Sequence, residues 1–251
     1  MPAPPASRRL RLDLALPTPA ENLAADEALL DWCEANPGPE ILAFWEPREL
    51  FVVVGYANKI DREVNRAVCA AAGVPVFRRC SGGGSVVQLP GGLNYSLILR
   101  ITADGPLAGI TSANRYIMEN NRAALAALLP HSPDGTVSVR GHTDLCLGNI
   151  KFSGNSQRRR RNYLLFHGTM LLDCDLERIS QLLPMPSLEP DYRAHRPHQE
   201  FLTNLKLPAD QVKTALAKAW QTDGIFEHPP MKLITDLAHN KYCTPAWNEK
   251  F

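Results

Sequence analysis

Three consecutive glycines, Gly82-Gly83-Gly84, follow Arg78-Arg79-Cys80-Ser81 in this chain. Glycines in a row let the backbone take positive φ and come close to a ligand, presenting N–H groups to an anion such as a phosphate or carboxylate. Arg78 and Arg79 add positive charge beside them. The loop lacks the Gly-Lys-Ser/Thr ending of a Walker loop and the helix-opening Gly-x-Gly-x-x-Gly of a dinucleotide site. A glycine hairpin with two solvated arginines has the same composition, so the loop alone names no ligand. A second glycine pair, Gly91-Gly92, precedes Asn94-Tyr95-Ser96, and two such turns around a short apolar strand narrow a cleft on one side of a sheet.

Lys151 lies between Ile150 and Phe152, directly before Ser153-Gly154. An ammonium inside an apolar strand either faces a polar site or anion, or points outward from an alternating strand. His167-Gly168-Thr169 interrupts the apolar run Leu164 to Leu172, where a histidine is either a satisfied core residue or a working group. If 150–157 and 163–170 pair as a hairpin, Lys151 and His167 come near the same end of the sheet. Arg158 to Arg161 would form its tip, solvated or in contact with an acidic partner. No His-Glu-x-x-His, paired-cysteine zinc pattern or Gly-x-Ser-x-Gly elbow is present.

These groups need a frame. Thr18-Pro19-Ala20-Glu21 is a helix start with a capping hydroxyl, a first-position proline and a reciprocating carboxylate, and predicts a helix over 19–35. Apolar runs punctuated by Gly and Pro predict strands at 41–46, 50–56, 74–79, 85–89 and 94–101, then at 137–140, 144–147, 150–153 and 163–172. Helices are expected at 112–129, capped by Ser112, and at 176–183 and 209–222, with 184–200 irregular. Strands in consecutive runs predict an α/β (α+β) fold with a mixed, largely antiparallel sheet flanked by helices.

Composition bounds the function. The 251 residues carry 27 basic and 26 acidic side chains, a formal net charge of +1, and only 7% are aromatic. That excludes a global field for nucleic acid or a membrane surface. No stretch approaches the ~18 apolar residues of a membrane span. Arg8, Arg9 and Arg11 precede the first acid, Asp13, a trait shared with presequences, but no signal-peptide apolar run follows. Six scattered cysteines in a chain of this size fit a reducing compartment such as the cytoplasm.

Taken together, residues 78–96 resemble the Arg-Arg-x-Ser-Gly-Gly-Gly loop, continuing to Leu-Asn-Tyr-Ser, of the lipoate-protein ligase and octanoyltransferase superfamily, which also includes biotin protein ligases. Asp144-Leu145, Lys151 to Gln157 and His167-Gly168-Thr169 resemble its second signature. The resemblance implies a fold like the catalytic core of class II aminoacyl-tRNA synthetases and biotin ligases, as a single catalytic domain over 1–251 with its core at about 15–225. It implies an ATP-dependent ligase using Mg²⁺, which joins lipoate or octanoate to AMP and transfers the acyl group to a lysine of a lipoyl domain, in 2-oxoacid dehydrogenase complexes or the glycine cleavage H protein.

In that scheme Lys151 is catalytic. Arg78, Ser81, Gly82, Gly83, Gly84, Asn94, Asp144, Ser153, Gly154, His167, Gly168 and Thr169 bind substrate or adenylate. No residue is assigned to a metal.

Three departures matter. The superfamily's transferases carry the acyl group on a cysteine, but those places read Pro184-Met185-Pro186 and Val139 to Thr143, so Cys80 and Cys146 are left as unorthodox nucleophiles. The stretch after Leu205 is too short for the accessory domain many lipoate ligases append, which leaves a separate accessory partner open. Gln88-Leu89 stands where the family has His-Asp. An ATP-independent octanoyl or lipoyl transferase, and a non-catalytic binding module, remain as alternatives.

Overall fold

Helix α1 (Pro19–Ala35) starts where its sequence places it. The Thr18 hydroxyl accepts from the Glu21 N–H at 3.3 Å, and the Glu21 carboxylate accepts from the Thr18 N–H at 3.0 Å. In this computed structural model, residues 8–130 and 135–251 are described. Strand β1 (Arg9–Asp13) precedes the helix. After it come β2 (Glu40–Trp45), β3 (Phe51–Val54), the short helices α2 (Ile60–Glu63) and α3 (Arg66–Ala71), β4 (Val76–Arg78), β5 (Val86–Gln88), β6 (Gly92–Arg100) and α4 (Ile110–Ala126). Strands β7 (Val137–Arg140), β8 (Asp144–Leu147), β9 (Ile150–Arg159) and β10 (Tyr163–Leu171) lead into α5 (Leu176–Leu182), α6 (His198–Phe201), α7 (Ala209–Ala219), α8 (Met231–Leu237) and α9 (Pro245–Asn248).

Seven strands form one sheet in the order β1-β2-β6-β10-β9-β8-β7, and only β1 and β2 pair in parallel. A second sheet, β4-β3-β5, joins one parallel and one antiparallel pair. The mixed, largely antiparallel sheet flanked by helices is thus as expected. Among the described residues no helix is long and apolar enough to cross a membrane.

Alternation along the central strands assigns the two faces. Leu93, Tyr95, Leu97 and Leu99 of β6 and Leu164, Phe166 and Met170 of β10 are buried with Ile117 and Leu125 of α4 and Val212 and Leu216 of α7. Their neighbours Ile98 and Leu165 pack on Leu29, Leu30 and Cys33 of α1. Ser96 and His167 stand on that second face, so α1 and the functional side chains share it. The helix is enclosed from other sides as well, by Phe51 and Val53 of the small sheet and by Ile234, Ala238 and Tyr242. Its interior position explains why its apolar residues form no single stripe.

Several expectations need correction. The strand at 150–153 continues to Arg159, so the arginine run is not a solvated tip. Arg158 donates to the Cys80 carbonyl at 2.6 Å, Arg159 to that of Leu107 at 2.7 Å, and Arg160 pairs with Asp31 at 2.7 Å; only Arg161 of the four is exposed. Helix α4 begins after Gly109, with Ser112 reciprocating from the third position rather than capping. The packed core also exceeds 15–225, because β1 joins the sheet and the segment from Met231 onward covers α1. Of these, β1 does alternate, with Leu10 and Leu12 buried between Arg9, Arg11 and Asp13, a period-two signal that the sequence reading passed over.

Arg78, expected to line the ligand site, instead joins three chain segments. It is fully buried, and its guanidinium donates to the carbonyls of Gly55 (2.9 Å), Asn58 (2.8 Å), Trp247 (3.2 Å) and Asn248 (3.0 Å). The Trp247 indole N–H donates back to the Arg78 carbonyl at 2.8 Å. Arg78→Leu should therefore lower stability by about 3 kcal/mol or more in urea unfolding, since each buried carbonyl that loses its donor costs about 1–3 kcal/mol. Unchanged stability would contradict this structural role.

Candidate active site

The glycine loop runs from β4 to β5 and is held by its own flanks. Gly83 has φ of +86°, which a side chain would strain. The Arg79 guanidinium folds back over the loop, donating to the Ser81 hydroxyl at 3.1 Å and the Gly84 carbonyl at 2.7 Å. The Ser156 hydroxyl of β9 donates to the Gly82 carbonyl at 2.9 Å. Arg79, rather than Arg78, is thus the arginine at this site.

Lys151 owes its direction to a break in pairing. Between β8 and β9 the register shifts, so Leu145 faces Ser153 while Cys146 faces Lys151. The bulge puts the Lys151 side chain over Gly154, where an added Cβ would stand 2.8 Å from Nζ. Lys151 is therefore not an outward lysine on an alternating strand. Its Nζ lies 2.7 Å from Asp144 Oδ1, with the side chains 25% and 13% exposed. The other carboxylate oxygen accepts from the Tyr192 hydroxyl at 2.7 Å. Burial first, and Asp144 second, push the Tyr192 phenol well above its ordinary range, so it stays a neutral donor.

His167 lies opposite Ser156, five residues along β9 from Lys151. The two residues occupy different stations, not the same end of the hairpin as expected. His167 Nδ1 meets Asp26 Oδ2 at 2.6 Å and Nε2 meets Ser81 Oγ at 2.5 Å. Asp26 also accepts from the Ser96 hydroxyl. Nearby, Gln88, which with Leu89 stands where the resemblance expects His-Asp, donates to both Asn94 Oδ1 and Thr169 Oγ1 at 2.8 Å in a buried polar cluster.

A cavity of about 840 Å³ joins these groups. Gly83, Gly84, Asn94, Asp144, Lys151, Ser153, Gly154, His167, Gly168 and Thr169 line it, and Arg78, Ser81 and Gly82 do not. Trp45, Val53, Val87, Leu171, Ile179 and Leu183 supply an apolar stretch of its wall. Such a mix of apolar wall and few polar groups suits a small amphiphilic ligand. Sequence reasoning missed Asp26, Ser156 and Tyr192, and it placed Arg79 beside the glycines but carried only Arg78 into the binding scheme. Asp26 and Tyr192 carry no local pattern, and nothing in the sequence separates Arg79 from Arg78.

None of the six cysteines lines the cavity. Burial, with Glu27 and Asp26 adding to it, pushes the Cys80 thiol up to about 12, and burial also raises Cys146. Neither is a poised nucleophile. Among the described residues no three His, Cys, Asp or Glu side chains group as a metal cage.

The description "Lipoyl protein ligase A/B catalytic domain" matches residues 18–221. The chain belongs to this lipoate-protein ligase family. It is 26% identical to octanoyltransferase LipM of Geobacillus kaustophilus, over 92% of this chain and 94% of that protein. A T. acidophilum protein solved with bound lipoic acid superposes with a TM-score of 0.77 at 26% identity, covering 97% of this chain and 99% of the other. A lipoate-protein ligase A bound with ATP gives 0.75 at 27% identity, over 97% and 98% of the two chains. The family likeness thus spans ligases and transferases alike.

The thiols provide a test independent of function. An aromatic disulfide reagent at pH 8 should label only Cys243, which is exposed, in the native protein and all six cysteines in denaturant. At that pH the buried thiols stay protonated, because their shifts are upward: about 12 for Cys33 and Cys80 and about 11 for Cys174. Rapid native labelling of Cys80 or Cys146 would contradict the geometry.

Proposed function

We propose that this chain is an ATP-dependent lipoate or octanoate protein ligase whose acceptor is a lysine of a lipoyl domain. The observation that carries the reading is the absence of any cysteine from the cavity wall. A site without a thiol cannot carry the acyl group as the superfamily's transferases do, and adenylation is the family's other way of activating it. The glycine loop, Arg79 and Lys151 belong to one cleft with an apolar wall, which suits a carboxylate and a phosphate joined at the head of an acyl chain.

In this reading a carboxylate oxygen of the fatty acid attacks the α-phosphorus of ATP and pyrophosphate leaves. The acceptor amine then attacks the acyl carbon and AMP leaves. Lys151 Nζ, released from Asp144, donates to the acyl carbonyl and phosphate oxygens where charge develops. The apolar wall takes the chain, at about 0.8 kcal/mol per buried methylene. Mg²⁺ would enter with the nucleotide and offset phosphate charge; before substrate binds, both oxygens of Asp144 and of Asp26 are engaged, and among the described residues no carboxylates group as a cage for it.

The likeness to LipM favours a second reading, transfer of octanoyl or lipoyl groups between carrier proteins without ATP. Lipoate- and octanoate-dependent ATP–pyrophosphate exchange separates the two. Exchange is the expected result, and acyl transfer from a carrier protein without ATP or exchange would replace the ligase reading. Lys151→Ala should lower acyl transfer by about 10²–10³, the usual scale for one preorganised donor. An unaffected rate would remove Lys151 from the chemistry.

A further inference from the structure

Asp26 is 6% exposed in the middle of α1, and its two carboxylate oxygens have separate partners. One accepts from the Ser96 hydroxyl; the other lies 2.6 Å from His167 Nδ1. A carboxylate only accepts, so its partner nitrogen carries the proton, and a neutral ring then presents Nε2 as an acceptor. That acceptor faces the Ser81 hydroxyl at 2.5 Å, and the same oxygen receives the Arg79 Nε–H at 3.1 Å. Four side chains thus connect the helix, through the sheet, to the glycine loop. Arg79 in turn spans the carbonyls of Gly82 and Gly84.

The order Asp-His-Ser is that of a nucleophilic triad, but the access is not. Ser81 is 2% exposed and is not part of the cavity wall, so its oxygen does not meet a substrate. With its one proton donated to His167, one lone pair taken by Arg79 and no access to the cavity, Ser81 holds rather than reacts. What it holds is the base of the loop whose next residues do line the cavity.

We propose that Asp26 is a positioning residue for acyl activation. Acting through His167, it fixes one ring tautomer, and thereby locks Ser81 and Arg79 in the conformation that shapes the glycine loop. For its kinetic arm this rests on the acyl-transfer reading above; its spectroscopic arm needs no substrate.

The test is a cycle of Asp26→Asn, Ser81→Ala and the double variant, read by turnover and by nitrogen NMR of His167 in the substrate-free protein. Each single variant should lower kcat about 10–100-fold, the scale on which outer partners that orient a site's contacting groups act. The double variant should be no slower than the slower single, because both break one chain. The His167 spectrum should show a protonated Nδ1 and an acceptor Nε2 in the wild type, retained in Ser81→Ala and lost in Asp26→Asn. Losses that multiply, or an unprotonated Nδ1 in the wild type, would overturn the proposal. Should Asp26→Asn fail to fold, the wild-type and Ser81→Ala spectra still decide it. A wild type that transfers no acyl group but shows the expected spectrum would refute the functional reading and leave the relay standing.

Discussion

The Lys151–Asp144 pair is the interaction on which the rest of the cleft depends. A cation and an anion taken largely out of water lose hydration that their mutual attraction often fails to return, so such a pair is a poor source of stability. We propose that its place in this sheet reflects its use on substrate. Everything around it serves that use: the β8–β9 bulge turns the lysine toward the cavity, Gly154 leaves room for its head, and Tyr192 occupies the second oxygen of Asp144. The ammonium is thereby held by one carboxylate oxygen, which in the proposed reaction it exchanges for a substrate oxygen.

The segment carrying Tyr192 is fastened to the same strand. The Thr203 N–H donates to the Lys151 carbonyl at 2.9 Å, and Arg196 donates to that of Asn149, just ahead of the strand, at 3.0 Å. An irregular stretch can therefore present a phenol at a fixed place, because the Arg196 guanidinium joins the Asn149 carbonyl to that of Tyr192 itself. Across the cleft, α1 supplies the opposite support. Its buried acids are each matched: Asp26 with Ser96 and His167, Glu27 with Lys241 and Tyr242. Buried charge is tolerated in this helix only because partners come from distant segments.

How much of this was legible follows from the range of each interaction. The capping box at Thr18 is local, and the sequence alone places the helix start. The central strands announce themselves by β-branched and apolar runs, and the fold class follows from their order. The family signatures named Lys151, Asp144 and His167, all of which line the cavity. Sequence alternation assigns a face but no partner, so Asp26, 141 residues from His167, gave no sign of its role. A bulge breaks the alternation on which strand reading relies, which is why Lys151 could not be distinguished from an outward lysine. Arg78 misled for the opposite reason: its type and position suggested an anion site, while its environment is made of backbone carbonyls from Gly55 and Asn58 before it and from Trp247 and Asn248 near the end of the chain.

The most direct test of this account is a crystal structure with a non-hydrolysable acyl-adenylate analogue bound. The account predicts Lys151 Nζ withdrawn from Asp144 and within hydrogen-bond distance of the acyl carbonyl and phosphate oxygens, with the acyl chain along Val53, Val87 and Leu171. An analogue bound in the cleft while Lys151 stays paired to Asp144 and touches no ligand atom would contradict it.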